Sequence, residues 1–288
     1  MRDIFRSIFK TIEIIIEIYL TKKLIILGPF HGEFGFEIIY NQSLYNSLKL
    51  KFHNRIKVAS KKSSRNLYSD IENDNYINFE YDLKKAGYAF GNVQDVSTIH
   101  KKFLAENFVS DKKNIILLDL SENFIPLIKL FFGFKYIPLT KSKRSDKKIC
   151  FHFRNIIKNG NDNRDNFTQI NAYKLVEYFN KKNYNTVCIG DLQYSYAPIN
   201  INKDKRSNNL KDTIDELGSS IVCIGQLSGP IHLAQMCSTP IITWAEGEWR
   251  FNIFPEWNPL NSDLYVVDKS SFNPELNSIV KLFEENYE

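Results

Sequence analysis

The sequence has no apolar stretch that is both long enough and free enough of charge to cross a bilayer. Its most hydrophobic run, residues 4 to 20, carries Arg6, Lys10, Glu13 and Glu17, and two glutamates inside the run argue against a spanning helix. The run also lacks a small-residue cleavage site, which argues against a secretory signal. Cysteine is scarce: Cys150, Cys188, Cys223 and Cys237 lie in apolar segments with no C-x-x-C spacing. They read as buried, reduced thiols of a cytoplasmic protein, and the spacing argues against a zinc site. Two further signatures are missing. The glycines at 28, 32 and 35 do not follow the G-x-G-x-x-G fingerprint, so nothing supports NAD as a cofactor. No D-x-D pair stands at the end of a strand, which removes the usual carboxylates for a diphosphate held by Mg²⁺ or Mn²⁺.

What is present suits a globular protein. A chain of 288 residues fits two domains of roughly 130 to 150 residues, each able to bury its own core. The net charge of +5 favours anionic substrates or an anionic membrane surface but falls short of a nucleic-acid-binding composition, and no such motif appears. The polar residues of run 4–20 recur at helical spacing, so residues 1–21 form an amphipathic helix. It either packs on the protein's own surface or lies peripherally in the cytoplasmic face of the inner membrane. Beyond it, apolar strand patterns alternate with helical ones, which implies parallel sheets. A first α/β domain covers 22–140, the charged run 141–147 is the linker, and a second α/β domain covers 148–288. His53 and His100 sit among polar residues and read as solvated.

Two βα turns concentrate polar residues. In the first, the strand Leu24–Gly28 runs through Pro29-Phe30-His31-Gly32-Glu33-Phe34-Gly35-Phe36-Glu37 into a helix. In the second, Ile221–Ile224 is a β-branched strand, and Ser228-Gly229-Pro230 opens a helix that ends before Thr239-Pro240 and the strand Ile241–Trp244. Ser228 stands at an N-cap position and Pro230 in the first turn, where its missing N–H costs nothing. The free amides from Ser228 to Ile231, with His232 beside them, would receive a phosphate at the C-terminal edge of the sheet. The alternative is an ordinary βαβ turn with a capping serine. Earlier in the second domain, Arg154 ends a strand and Lys158 and Arg164 follow in a polar loop, placed to meet a diphosphate or simply solvated. Asp191, after the next strand, would hydrogen-bond a ribose or form a turn.

Ser228-Gly229-Pro230-Ile231-His232-Leu233-Ala234, followed by Thr239-Pro240, resembles the nucleotide-sugar signature of the ADP-heptose transferases, glycosyltransferase family nine, and their relatives from bacterial polysaccharide clusters. The resemblance implies a GT-B-like fold, two Rossmann-like domains with parallel sheets facing a central cleft. It implies transfer of a sugar from a nucleotide-sugar donor to a surface-glycan or lipopolysaccharide acceptor, without metal or cofactor. Gly32-Glu33 resembles the Gly-acidic pair of that family, so Glu33 would be the base that activates the acceptor hydroxyl. Its bland alternative is electrostatic capping of the next helix. His31, Gly32 and Glu37 share this acceptor-side loop. The segment around Arg164, Asn166 and Phe167 resembles a basic-Asn-aromatic piece of the relatives. Glu248, Arg250 and Trp257-Asn258-Pro259 resemble their closing loop. His232, with Arg154 or Arg164, would stabilise the leaving diphosphate. One departure stands out: the family places an acidic residue where this chain has Leu227. That keeps two other readings open, a catalytically silent nucleotide-sugar-binding subunit and a GT-B-fold nucleotide-sugar epimerase.

Overall fold

The computed structural model of the chain describes residues 2–80, 96–145, 147–155, 166–207, 209–247 and 258–288. The chain divides into two compact units, Met1–Ile137 and Pro138–Glu288. The charged run at 141–147 belongs to the second: Leu139 N–H donates to Met236 O (2.8 Å) and Ser145 N–H to Ser219 O (2.9 Å).

In the first unit the described strands form a parallel sheet in the order β3-β2-β1-β4. These are β1 (Leu24–Leu27), β2 (Ile56–Ser60), β3 (Tyr76–Asn78) and β4 (Ile115–Leu118). Leu-Ile-Ile-Leu at β1 is an unbroken apolar run because helices cover both faces of its sheet. The helical part after β1 is composite: α2 (Phe34–Phe36), a π turn (Glu37–Asn41) and α3 (Gln42–Phe52). Ile26, Ala59, Phe79, Ile99 and Phe103 form one apolar cluster of this unit, with Ile99 and Phe103 supplied by α4 (Val96–Asn107). After β2 the chain forms a 3₁₀ helix, Lys62–Tyr68. Its Ser-Ser-Arg-Asn centre has weak α propensity; Arg65 donates to Tyr68 O and Ile71 O, and Ser64 Oγ donates to Glu37.

The N-terminal helix α1 (Arg2–Leu20) packs on the first unit's own surface, beside α5 (Ile125–Phe132). Thr11, Ile15 and Ile18 are its buried residues. Phe124 N–H donates to Thr11 Oγ1 (2.7 Å), and Tyr19 stacks on Phe132 with ring centroids 5.9 Å apart.

The second unit holds a larger sheet, ordered β11-β10-β9-β5-β6-β8. Its strands are β5 (Lys148–Arg154), β6 (Asn185–Cys188), β8 (Lys203–Asp204), β9 (Val222–Gln226), β10 (Ile241–Trp244) and β11 (Leu264–Val266). All pairings along this order are parallel, and β7 (Ser195–Tyr196) lies antiparallel against the end of β5. The two-residue strands β7 and β8 carry no alternation that a sequence pattern would reveal. Helix α6 (Gln169–Lys181) starts at Thr168, whose side chain accepts from Asn171 N–H, and buries Ala172, Leu175, Val176 and Phe179. That apolar face meets Phe151, Phe153, Trp244 and Phe283 in one core. Helices α7 (Leu210–Gly218), α8 (Gly229–Met236) and α9 (Leu276–Tyr287) complete the unit's described helices. Cys150, Cys188, Cys223 and Cys237 are free and buried, as the sequence implied.

Candidate functional site

Both polar turns adjoin a reversal of strand order: the first leaves β1, and the second leaves β9, the neighbour of β5. In the first sheet β1 lies between β2 and β4; in the second, β5 lies between β9 and β6. Ligands of open parallel sheets bind outside the carboxyl ends of strands at such reversals.

On the first unit the loop leaving β1 is laced to both neighbours. Gly28 N–H donates to Leu118 O (3.0 Å) and Phe30 N–H to Ala59 O (2.9 Å). Gly28 has φ +111°, and a Cβ there would collide with the Ala59 carbonyl oxygen, so the close approach requires glycine. Pro29, Phe30 and His31 are buried, Gly32 is half-buried and Glu33 is exposed. Glu33 occupies the N-cap position of α2, where its carbonyl accepts from Phe36 N–H (3.0 Å) but its carboxylate makes no capping bond. The backbone caps while the carboxylate stays in solvent.

Glu37 points inward. Its carboxylate accepts from Ser64 Oγ (2.6 Å), from Ser60 Oγ and from Tyr68 OH (3.4 Å). Burial raises its pKa, and the hydroxyls with the Lys61 charge oppose that rise. Glu37 thus ties the helix after the loop to the end of β2.

His31 points inward too, toward a cluster that no local spacing announces. Its Nδ1 lies 3.1 Å from Pro29 O and 3.6 Å from Asp119 Oδ2. Asp119 follows β4 and is buried; its Oδ2 lies 2.8 Å from His100 Nε2, and its Oδ1 accepts from Ser121 N–H and Oγ (2.8 and 2.7 Å). Burial alone would raise the Asp119 carboxyl. The His100 hydrogen bond, the His31 and His100 charges and Ser121 outweigh it and hold the pKa below the usual carboxylate value. The expectation that His100 is solvated is therefore corrected: a helix face brings it onto a buried carboxylate. His53 is exposed.

On the second unit, Arg154 ends β5 and Gln226 ends β9. Gln226 is fully buried, and its Oε1 accepts from Arg154 N–H (3.0 Å), joining the two strand ends at the reversal. Asn155 N–H donates to Tyr194 O (2.9 Å), so the segment after β6 folds over the end of β5. Asp191 begins that segment, is exposed, and accepts from Gln193 N–H (2.7 Å), the geometry of a turn-forming aspartate.

Ser228 takes the N-cap position of α8, but its hydroxyl donates backward to Gln226 O (3.0 Å) and caps nothing. Ser228 O accepts from Ile231 N–H (3.0 Å) and His232 N–H (3.2 Å). The expected row of free amides is therefore shorter than spacing suggests: Ile231 N–H is engaged and Pro230 has none, which leaves the Ser228 and Gly229 amides at the helix start. Ser228, Gly229 and Pro230 are half-buried. His232 Nδ1 lies 3.1 Å from Gln235 Oε1, and loss of solvent pushes its pKa down to about 4. Leu227 is 8% exposed and its N–H donates to Trp244 O (3.0 Å), so an acidic side chain there would be buried rather than offered to a ligand.

His152, one residue into the strand from Phe153, is buried with Nδ1 3.2 Å from Ile189 O. Burial chiefly, with Arg154 adding to it, lowers its pKa to about 4. An unfolded histidine titrates near 6.5. The folded protein therefore binds this proton less readily, and its stability is complete above about pH 6.5 and declines toward pH 4, by up to about 1.4 kcal/mol per pH unit. Thermal melts from pH 7 to 4 should show a shallower decline for His152→Asn; an unchanged slope would refute the assignment.

Lys158, Arg164, Glu248 and Arg250 lie outside the described residues. Arg154, Asp191 and the Ser228–His232 turn share the C-terminal edge of the second sheet. His31, Gly32 and Glu33 share that of the first, with Glu37 beneath it. Gln226 and the His31–Asp119–His100 cluster were not foreseen. A glutamine directly before the Leu-Ser-Gly turn was the one sequence signal for the former.

The sequence matches no protein-family model and no curated protein. Solved structures are similar to it. The Escherichia coli ADP-heptose LPS heptosyltransferase II aligns over 92% of this chain and 100% of its own, with TM-score 0.56 and 14% identity. A glycosyl transferase family 9 protein from Veillonella parvula aligns over 92% and 97%, with TM-score 0.54 and 13% identity. The E. coli heptosyltransferase WaaC with ADP aligns over 91% and 99%, with TM-score 0.52 and 9% identity. The chain thus has the α/β, GT-B-like fold of these transferases; at such identities the likeness carries the fold and not the activity.

Proposed function

We propose that the protein is a glycosyltransferase that moves a sugar from a nucleotide-sugar donor to a glycan or glycolipid acceptor of the cell surface. The observation that carries this reading is the placing of a polar turn beside the strand reversal of each sheet, in a fold shared with heptosyltransferases over most of the chain. On the first unit, the exposed Glu33 carboxylate takes the proton of an acceptor hydroxyl as its oxygen attacks the anomeric carbon. The bond from that carbon to the diphosphate oxygen breaks, and a nucleoside diphosphate leaves. On the second unit, the Gly229 amide and the positive end of α8 receive the departing charge, with Arg154 as the cationic partner. His232, in the same first turn, offers the leaving diphosphate a hydrogen-bonding group.

Leu227 favours one competing reading, a subunit that binds the donor without turning it over, because it puts an apolar, buried side chain where the resembling family is acidic. A thermal-shift screen of ADP-, UDP-, GDP- and CMP-sugars, run beside an assay for released nucleotide, separates the two. A donor at 100 times its dissociation constant stabilises by about 2.7 kcal/mol. Stabilisation with nucleotide release only when acceptor is added supports transfer. Stabilisation without release supports the silent subunit, and a changed sugar without acceptor supports an epimerase.

A further inference from the structure

Helix α1 is apolar on two sides, and the fold uses one of them. Thr11, Ile15 and Ile18, spaced i, i+4 and i+7, face the first unit and are buried. Phe5, Phe9, Ile12 and Ile16 form a second stripe at the same helical spacing, and Tyr19 and Leu20 extend it; all are exposed, Phe9 by 65% and Leu20 by 80%. A helix that only needed to dock on its own domain would carry polar residues on that second side.

The exposed apolar surface does not stop at α1. Helix α5 runs alongside it in the same direction: Thr11 meets Asn123 near one end and Tyr19 meets Phe131 and Phe132 near the other. At that second end α5 presents Leu130, 75% exposed, and Phe131. Tyr19 also meets Phe52 edge-on, with ring centroids 5.6 Å apart, which fixes α1 against α3 as well. The stripe is therefore presented on a braced helix and not on a loose tail. Contiguous apolar surface of this kind marks an interaction site.

The charges at its border decide what covers it. Arg6 follows Phe5, Lys22 follows the end of the helix, Lys129 precedes Leu130, and Lys51 reaches over to donate to Phe131 O (3.2 Å). Arg6, Lys22, Lys51 and Lys129 have no ion-pair partner among the described residues. Of the nearby acids, Glu17 pairs with Lys23 and Glu122 with Lys10, which leaves Glu13 on the exposed side and Asp3 in the first turn, beside Arg2. The rim is thus predominantly positive. Two copies of the chain meeting through this face would oppose like charges, whereas an anionic lipid surface complements them. No helix of the described residues is long and apolar enough to cross a membrane, so the geometry is that of a helix lying in the interface.

We infer that the outer stripe of α1, with the exposed end of α5, is a docking surface for anionic phospholipid bilayers. The apolar side chains enter the boundary between headgroups and acyl chains, and the basic rim stays among the headgroup phosphates. This inference is independent of the transferase reading, since it rests on α1 and α5 alone.

Vesicle cosedimentation of the full chain tests it, with phosphatidylcholine vesicles and with vesicles that also contain phosphatidylglycerol. Binding to the anionic vesicles is expected to be at least about tenfold tighter than to the neutral ones, and to weaken as salt screens the rim. The double substitution Phe9→Glu/Ile16→Glu should lower anionic-vesicle affinity at least about tenfold while leaving circular dichroism and melting unchanged, because both side chains stand in solvent. Arg6→Glu/Lys22→Glu should remove the preference for phosphatidylglycerol. The inference is overturned if the full chain binds neither vesicle, or if Phe9→Glu/Ile16→Glu binds as the parent does. It is equally overturned if that variant instead abolishes a concentration-dependent dimer seen by sedimentation in the absence of lipid.

Discussion

Glu33→Gln is expected to lower the turnover of sugar transfer by about 10²- to 10⁴-fold, the range over which a positioned general base contributes, while leaving donor binding unchanged. The expectation follows from the loop's construction. Hydrogen bonds to Leu118 and Ala59 hold its backbone, and the Glu33 carbonyl, not the carboxylate, serves the following helix. Replacing the carboxylate by an amide of the same shape removes a proton acceptor and no structural bond. Steady-state kinetics with the natural donor, beside calorimetric titration of that donor, reads both halves of the prediction. If Glu33→Gln keeps its turnover, the base is elsewhere in the protein. Glu37→Gln is then the wrong place to look first, because that side chain is enclosed by Ser60, Ser64 and Tyr68. Its loss should appear in melting temperature before it appears in catalysis.

His100→Ala is expected to destabilise the first unit by about 1.5–3 kcal/mol, the worth of a hydrogen bond to a charged group, because it takes His100 Nε2 away from the buried Asp119 carboxylate 2.8 Å away. For a unit of this size that is a fall in Tm on the order of 10 °C. The sign of its pH dependence is also determined. In the parent, Asp119 is held below the usual carboxylate pKa, so its contribution is present above about pH 4 and is lost as pH falls through the depressed folded value. Without His100, burial faces less opposition and the carboxyl pKa rises. The gap in melting temperature between parent and variant should be widest near neutrality and narrow toward acid. The groups facing Asp119 are His31, His100 and Ser121, with Glu122 on the far side of His100 at 3.7 Å. A gap that stays constant from pH 7 to 4 would show that His100 supports the unit by packing alone.

The same residues show why some of the molecule was legible in advance and some was not. Strands β1, β5, β9 and β10 are short apolar runs bounded by glycine, proline or charge, and helix α6 repeats its apolar residues with the helical period. Such signals are local, and the α/β class with two polar βα turns followed from them. The π turn at Glu37–Asn41 had no comparable signal, because Glu37 is held by Ser60, Ser64 and Tyr68, residues remote from it in sequence. Ser228 illustrates the limit within one motif. Its N-cap position was readable, yet the direction of its hydroxyl, toward Gln226 O, is set by the chain two residues back.

The order of residues by itself determined that this chain builds parallel sheets, that its polar turns follow strand ends, and that its first helix is apolar beyond the needs of solubility. Periodicity and capping act over a few residues, and the sequence states them directly. Only the tertiary structure decided that β1 and β5 stand at the reversals of their sheets, that Gln226 joins two strand ends, and that Asp119 gathers His31, 88 residues before it, and His100, 19 residues before it. Strand order and buried electrostatics arise between segments distant in sequence, where no local pattern records which partner each side chain will meet.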